Sequence, residues 1–333
     1  MFYHVWEGFW KSSTMAELNG KSNPPSPATT APAETTPPFS AVSPPSLAER
    51  FLVGPGGLRP GWRLLAYLFL AAVLFFIGQL LLLSMSHIGL LRLMFVDKAF
   101  FVLDVTLPAV FMARMEGCPF SRYGLSLRGI RGQNFWVGSL WGMGAFVTLI
   151  VLLRLFHAYD LSGFALHGYR LAKFAGFWLA FFALVAVSEE FLLRGYTQFT
   201  LTQAMGFWPA AVALSIAFGA IHLGNQGENW SGILGAITIG LFLCLTLRRT
   251  GDLWFAVGFH LFWDWSESYV FAVPDSGSIT PGHLLRSSLH GPRWITGGTA
   301  GPEGGAVVFM VIAIAWLAFD RLYPSAKYPV HHE

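Results

Sequence analysis

The stretch Ser188–Gly195 reads SEEFLLRG and follows the apolar run FAGFWLAFFALVAV. Two other apolar runs are interrupted in a similar way, by His222, four residues after Phe218, in SIAFGAIHLGN and by His260 and Asp264 in FAVGFHLFWDW. Ionisable groups at membrane depth are costly, face the interior of a bundle, pair with one another and mark functional sites. Helical spacing assigns the partners. Glu190 and Arg194 are four residues apart on one face and can pair. Glu189 projects about 100° away around the helix, where no arginine of its own helix satisfies it. His260 and Asp264 share a face by the same spacing. Phe218 precedes His222 by four, so its ring can pack against the imidazole. Glu189, His222 and His260 lie on three helices and can converge on one polar pocket.

Such a pocket can hydrolyse. A carboxylate beside an imidazole holds and deprotonates a water, and a second histidine donates to a developing oxyanion. No covalent nucleophile is needed. The same Glu/His/His set can instead bind zinc and let the metal activate water. Spacing does not separate the two versions, although the HExxH zinc helix signature is absent. We expect no cofactor, with zinc as the alternative.

The elements that must position these residues are membrane helices. The chain has 333 residues, 54% hydrophobic and 12% charged, with 31 Phe and 13 Trp and a mean hydropathy of +0.53. Soluble domains carry about 25% charged residues. The expected fold class is therefore all-α, a polytopic membrane helical bundle. Segments of roughly 20 apolar residues predict about eight transmembrane helices at 62–86, 97–115, 134–157, 172–200, 207–223, 231–248, 252–271 and 304–322. Turn residues separate them: GNQGEN, RRTGD and GGTAGPEGG. Residues 1–60 are rich in Pro, Ser and Thr and are expected to be a disordered tail. Residues 61–325 form the membrane domain, with its motif core at 170–270, and 326–333 a short C-terminal tail. The opening MFYHVWEGFWKSSTM lacks the layout of a signal peptide, and Met15 offers an alternative start. Cys118 falls in a loop and Cys244 in an apolar run, which argues against a disulfide framework.

Lysine and arginine bias places both termini in the cytoplasm, with Arg114, Arg122, Arg128, Arg131, Arg248 and Arg249 on the inner side. The tail composition and short loops point to a bacterial inner membrane. A net charge of +3 gives no reason to expect nucleic acid as a partner.

The motifs EExxxRG, FxxxH and HxxxD, in this order and each on its own apolar helix, resemble the CAAX-protease and bacteriocin-processing family of intramembrane proteases, which includes the type II CAAX prenyl endopeptidases. Here they are Glu189-Glu190-Phe-Leu-Leu-Arg194-Gly195, Phe218-Gly-Ala-Ile-His222 and His260-Leu-Phe-Trp-Asp264. The resemblance covers roughly residues 170–270. It implies a glutamate-dependent endopeptidase in which Glu189 and His222 activate water, Glu190 and Arg194 support the site, and His260 stabilises the oxyanion. The family often has Asn where this chain has Asp264. An ionised Asp cannot donate to an oxyanion, so Asp264 is expected to orient His260, to be protonated, or to leave the oxyanion to His260.

The implied partners are membrane lipids and a peptide or protein substrate, lipid-modified or not. Two other classes fit the same residues. One is a non-proteolytic scaffold or bacteriocin-immunity protein on the same fold. The other is an ion or proton transporter, which needs polar residues spread along a path across the bilayer. Asn225 is expected to cap a helix end or to line the pocket as a supporting residue. Lys98 reads as a membrane-edge residue, with Asp104 open. Trp208, Trp230, Trp263 and Trp265 read as interface anchors or packing. RYGLSLRGIRG reads as a surface linker and His331-His332 as a weak metal tract.

Overall fold

The fold was analysed in a computed structural model that describes residues 52–54, 57–225 and 227–328. Most of the 1–60 tail, Met15 and His331-His332 lie outside the described residues. Among the described residues, nine helices of nine residues or more carry the architecture: α1 (Pro60–Ser84), α2 (Leu90–Met115), α3 (Gln133–Leu155), α4 (Tyr169–Glu190), α5 (Thr197–Met205), α6 (Phe207–Ile221), α7 (Trp230–Thr250), α8 (Trp254–Asp264) and α9 (Ala306–Leu322). A π-helical turn, Phe191–Tyr196, joins α4 to α5, and a second, Trp265–Val270, extends α8. The all-α polytopic membrane class is what the chain forms. Five helical runs among the described residues are long and apolar enough to cross a membrane by length and composition: Pro60–Ser84, Gln133–Leu155, Tyr169–Met205, Phe207–Gly224 and Trp230–Thr250. Each of the eight expected segments coincides with a helical run. Three of those runs are shorter, or in α2 interrupted by Arg92, Asp97, Lys98 and Asp104.

The helix ends follow from local chemistry. Pro60 opens α1 at the position where a missing N–H costs nothing. The Asn229 side chain accepts from the backbone N–H groups of Ser231 and Gly232 and caps α7. Gly251, at φ +88°, ends it. Helix α2 starts at Leu90, seven residues before the expected 97. Charges broke the apolar run in sequence, but a helix needs partners for charges rather than their absence. Asp97 accepts from Gln79 at 2.9 Å, and the Lys98 ammonium lies over the Phe101 ring.

Helix α8 is the hub. Its Trp254, Val257 and Leu261 enter a cluster with Tyr67, Val105, Trp178, Phe182 and Tyr269. Its Phe255, Phe259 and Trp263 enter a second cluster with Phe146, Phe242, Val311 and Phe319. Small residues permit close approach of helices in lipid, and α3 uses them here. A Cβ on Gly138 or Gly142 would overlap the carbonyl oxygens of Phe255 and Phe259, and one on Gly258 would overlap that of Phe135. Backbone thus lies on backbone, which fixes the height and rotation of α8 and of the His260 and Asp264 it carries.

Among the described residues, two antiparallel ribbons depart from the all-helical expectation, a short one pairing Val53–Gly54 with Gly57–Leu58 and a longer one. Strands β1 (Tyr159–Phe164) and β2 (Leu285–Leu289) pair from Tyr159↔Leu289 to Phe164↔Leu285, with an irregularity between Leu161 and Gly163. More than a hundred residues separate the two strands. Neither carries a turn signal that would announce the other, so only the tertiary fold brings them together.

Candidate active site

The first motif sits where a helix changes pitch. After Glu190 the chain passes into the π turn Phe191–Tyr196, and Gly195 leaves helical geometry at φ −82°, ψ −116°. A Cβ there would lie 2.7 Å from the Phe191 ring, so the motif's glycine is a steric requirement. π segments frequently mark functional sites, because the extra residue redirects side chains. The second π turn begins directly after Asp264. The two carboxylates nearest His260 are thus each followed by such a turn.

Glu190 and Arg194 are both fully buried, and Arg194 Nη1 donates to Glu190 Oε1 at 3.2 Å. The pair is not closed on itself, as the i,i+4 spacing suggested. The same Oε1 faces His260 Nδ1 at 2.9 Å. The guanidinium also lies 4.7 Å over the Phe218 ring, a cation–π contact. Glu190 Oε2 and Arg194 Nε and Nη2 have no hydrogen-bond partner among the described residues. Gly240 of α7 makes room for this arginine: a Cβ there would stand 2.7 Å from Nη2. A buried ion pair loses several kcal/mol per ion in desolvation, so this arrangement is an expensive way to hold a bundle together.

His260 is held from both sides. Its Nδ1 faces Glu190, and its Nε2 lies 3.3 Å from Asp264 Oδ2 and 4.0 Å from Glu189 Oε2. Asp264 is therefore placed to orient His260 from the same helix. His222 ends α6. Its Nδ1 donates to the Phe218 carbonyl at 2.8 Å, leaving Nε2 as the acceptor nitrogen. The Phe218 ring meets the His222 imidazole edge-on at 4.7 Å, the packing that the spacing allows.

Glu189, Phe218, His222, Asn225, His260 and Asp264 line one cavity of about 250 Å³. Glu189 is the open member of the glutamate pair, its side chain 23% exposed against 0% for Glu190. Asn225 follows α6, where its backbone N–H donates to the His222 carbonyl at 3.0 Å, and it is among the residues that line the cavity.

Several lining residues were missed in the sequence. Lys98, read as a membrane-edge residue, faces this cavity from α2. Trp263, read as anchor or packing, is buried and donates to Glu303 Oε1 at 2.8 Å. Glu303 lies in GGTAGPEGG, whose glycines hid it as turn chemistry. Asp275 and Ser276 come from the loop after α8. Burial, with the Asp264 carboxylate nearby, pushes the Glu303 carboxyl up and that of Asp275 well up from the ordinary carboxylate range. Glu267 carried a signal that was overlooked, an acid three residues after Asp264 in an apolar run. Among the described residues, one group of three ligating side chains has its atoms all within 4.8 Å of one another, and it is Glu267, Asp275 and Glu303, not Glu189, His222 and His260.

The fold and cavity define an integral membrane protein with a buried carboxylate–imidazole site. Residues 171–266 match the family described as type II CAAX prenyl endopeptidase Rce1-like, which is the CAAX-protease family that the motifs resemble. The matched segment contains all three motifs. A search of curated proteins finds no match.

Proposed function

We propose that this protein is an intramembrane endopeptidase that hydrolyses a peptide bond near the membrane surface. The observation that carries the proposal is the asymmetry of the glutamate pair. Glu190 is locked between Arg194 and His260, while Glu189 opens onto the same cavity as the acceptor nitrogen of His222. Glu189 takes a proton from a water held between it and His222, and the resulting hydroxide attacks the scissile carbonyl carbon. The carbonyl oxygen gains the charge and accepts from His260 Nε2–H, which turns from Asp264 toward it. The proton on Glu189 passes to the leaving amine as the C–N bond breaks.

The substrate is a peptide or protein presented from the membrane, and the family description suggests a prenylated one. The tail composition and short loops support a bacterial inner-membrane location, and the Lys/Arg bias supports cytoplasmic termini. We favour glutamate over zinc chemistry because Glu189, His222 and His260 do not form a three-ligand group, as noted above.

The test compares protein termini by mass spectrometry in cells carrying the wild type or Glu189→Ala at matched expression. Termini unique to the wild type support proteolysis and point to the substrate. Identical termini across several growth conditions overturn it in favour of a scaffold or immunity role.

A further inference from the structure

Beside the proposed catalytic residues, a second set of acids has no assigned work. Glu267 comes from the π turn that extends α8, Asp275 from the loop that follows, and Glu303 from the turn before α9. One carboxylate oxygen of each lies within 4.8 Å of the others. Glu303 Oε1 accepts from Trp263 Nε1 at 2.8 Å, and Asp275 Oδ2 accepts from the Ser268 hydroxyl at 3.0 Å. The Ser276 hydroxyl adds a longer contact to Glu303 Oε2 at 3.4 Å. No lysine or arginine among the described residues forms an ion pair with any of the three.

Acids that merely gather at a surface need no ion, and the separate observation here is Glu267. It is fully buried, and neither of its oxygens has a hydrogen-bond donor among the described residues. A buried carboxylate of this kind is far too costly to leave uncompensated. The other two carboxylates lie within 4.8 Å of it and donate nothing when ionised. What such a site lacks is positive charge at its centre.

We infer that Glu267, Asp275 and Glu303 form a binding site for a hard divalent cation of calcium size. The donors are all oxygen, which selects hard ions over zinc or copper. Calcium takes oxygens at about 2.3–2.6 Å in flexible geometry, so two ligands of one ion stand up to about 5 Å apart. Magnesium, at about 2.0–2.1 Å and rigidly octahedral, keeps several waters and usually takes one or two carboxylates, so a set of three carboxylates favours calcium. The ion would tie the end of α8, the loop at Asp275 and the turn at Glu303 together. Asp275, Ser276 and Glu303 also line the cavity that holds Glu189, so the ion braces one wall of it. The inference stands on these acids alone and does not require that the protein be a peptidase.

The test uses the full chain in detergent, stripped with EDTA. Terbium, a luminescent ion of calcium's size and hardness, is titrated with excitation of tryptophan, because the Trp263 indole is bonded to Glu303. The expected result is saturable sensitised emission that calcium displaces and magnesium displaces far less. Calcium is also expected to raise the melting temperature. Glu267→Gln, which exchanges an unpartnered buried carboxylate for a neutral isostere, is expected to fold and to weaken terbium binding by about tenfold or more. Asp275→Asn is the second variant should the first fail to fold. Absence of saturable emission, or variants that bind as the wild type does, overturns the site. An infrared carboxylic-acid band that persists in excess calcium and disappears in Glu267→Gln also overturns it, because a shared proton then compensates the acids.

Discussion

Glu190 Oε1 lies 2.9 Å from His260 Nδ1 while accepting from Arg194 Nη1 at 3.2 Å, so one buried oxygen joins the first and third motifs across two helices. The arginine charge therefore reaches His260 through Glu190. Without the Glu190 contact, the imidazole keeps only its Asp264 and Glu189 neighbours.

This separates the two adjacent glutamates. Glu189→Gln is expected to lower peptide cleavage by about 10²–10⁴-fold, the usual worth of a general base, with little change in melting temperature. Glu190→Gln is expected to lower both. Cleavage of a membrane-presented peptide and thermal melting, measured on the same preparations, check the contrast. Equal stability of the two variants would count against the assigned roles.

A double-mutant cycle tests the buried pair. Arg194→Met alone leaves Glu190 charged and desolvated and is expected to cost about 3–5 kcal/mol. Glu190→Gln together with Arg194→Met is expected to recover much of that loss, because no unpaired ion remains. Cleavage is not expected to return, since His260 Nδ1 has lost the Glu190 carboxylate. Denaturation midpoints and cleavage rates read the two effects independently.

Asp264 sits where the family that the motifs resemble often has Asn, and Asp264→Asn keeps an acceptor beside His260 Nε2. Its activity is expected to stay within about tenfold of the wild type, the scale of one hydrogen bond. Asp264→Leu removes the acceptor and is expected to lose considerably more. A leucine variant as active as the asparagine one would show that Asp264 does not orient His260.

Two glycines outside the motifs are predicted to matter. Gly240→Ala places a methyl 2.7 Å from Arg194 Nη2, and Gly142→Val drives α3 from α8. Each is expected to cost about 1–3 kcal/mol through overpacking. Only Gly240→Ala is expected to lower activity at temperatures where the variant is fully folded. Melting curves and rates on folded protein distinguish them.

The membrane class and the three motifs were legible because each is a local pattern. Apolar length marks a span, and i,i+4 spacing puts Glu190 on Arg194, Phe218 on His222 and His260 on Asp264, whatever the rest of the chain does. The contacts that organise the site are not local. Glu190 meets His260 from seventy residues away, and Gly240 makes room for an arginine on another helix. The second acidic group was hidden for the same reason: Glu267, Asp275 and Glu303 stand on a helix end, a loop and a glycine-rich turn, none unusual alone. The pitch changes at Phe191–Tyr196 and Trp265–Val270 leave no signature in apolar periodicity, and pairing of Tyr159–Phe164 with Leu285–Leu289 has no turn to announce it. The sequence by itself determined which residues share a helix and a face, because backbone geometry is set within a turn or two. Only the tertiary structure decided which faces meet, because packing, close backbone approach and partnering of buried charge are settled between segments that covalent geometry leaves independent.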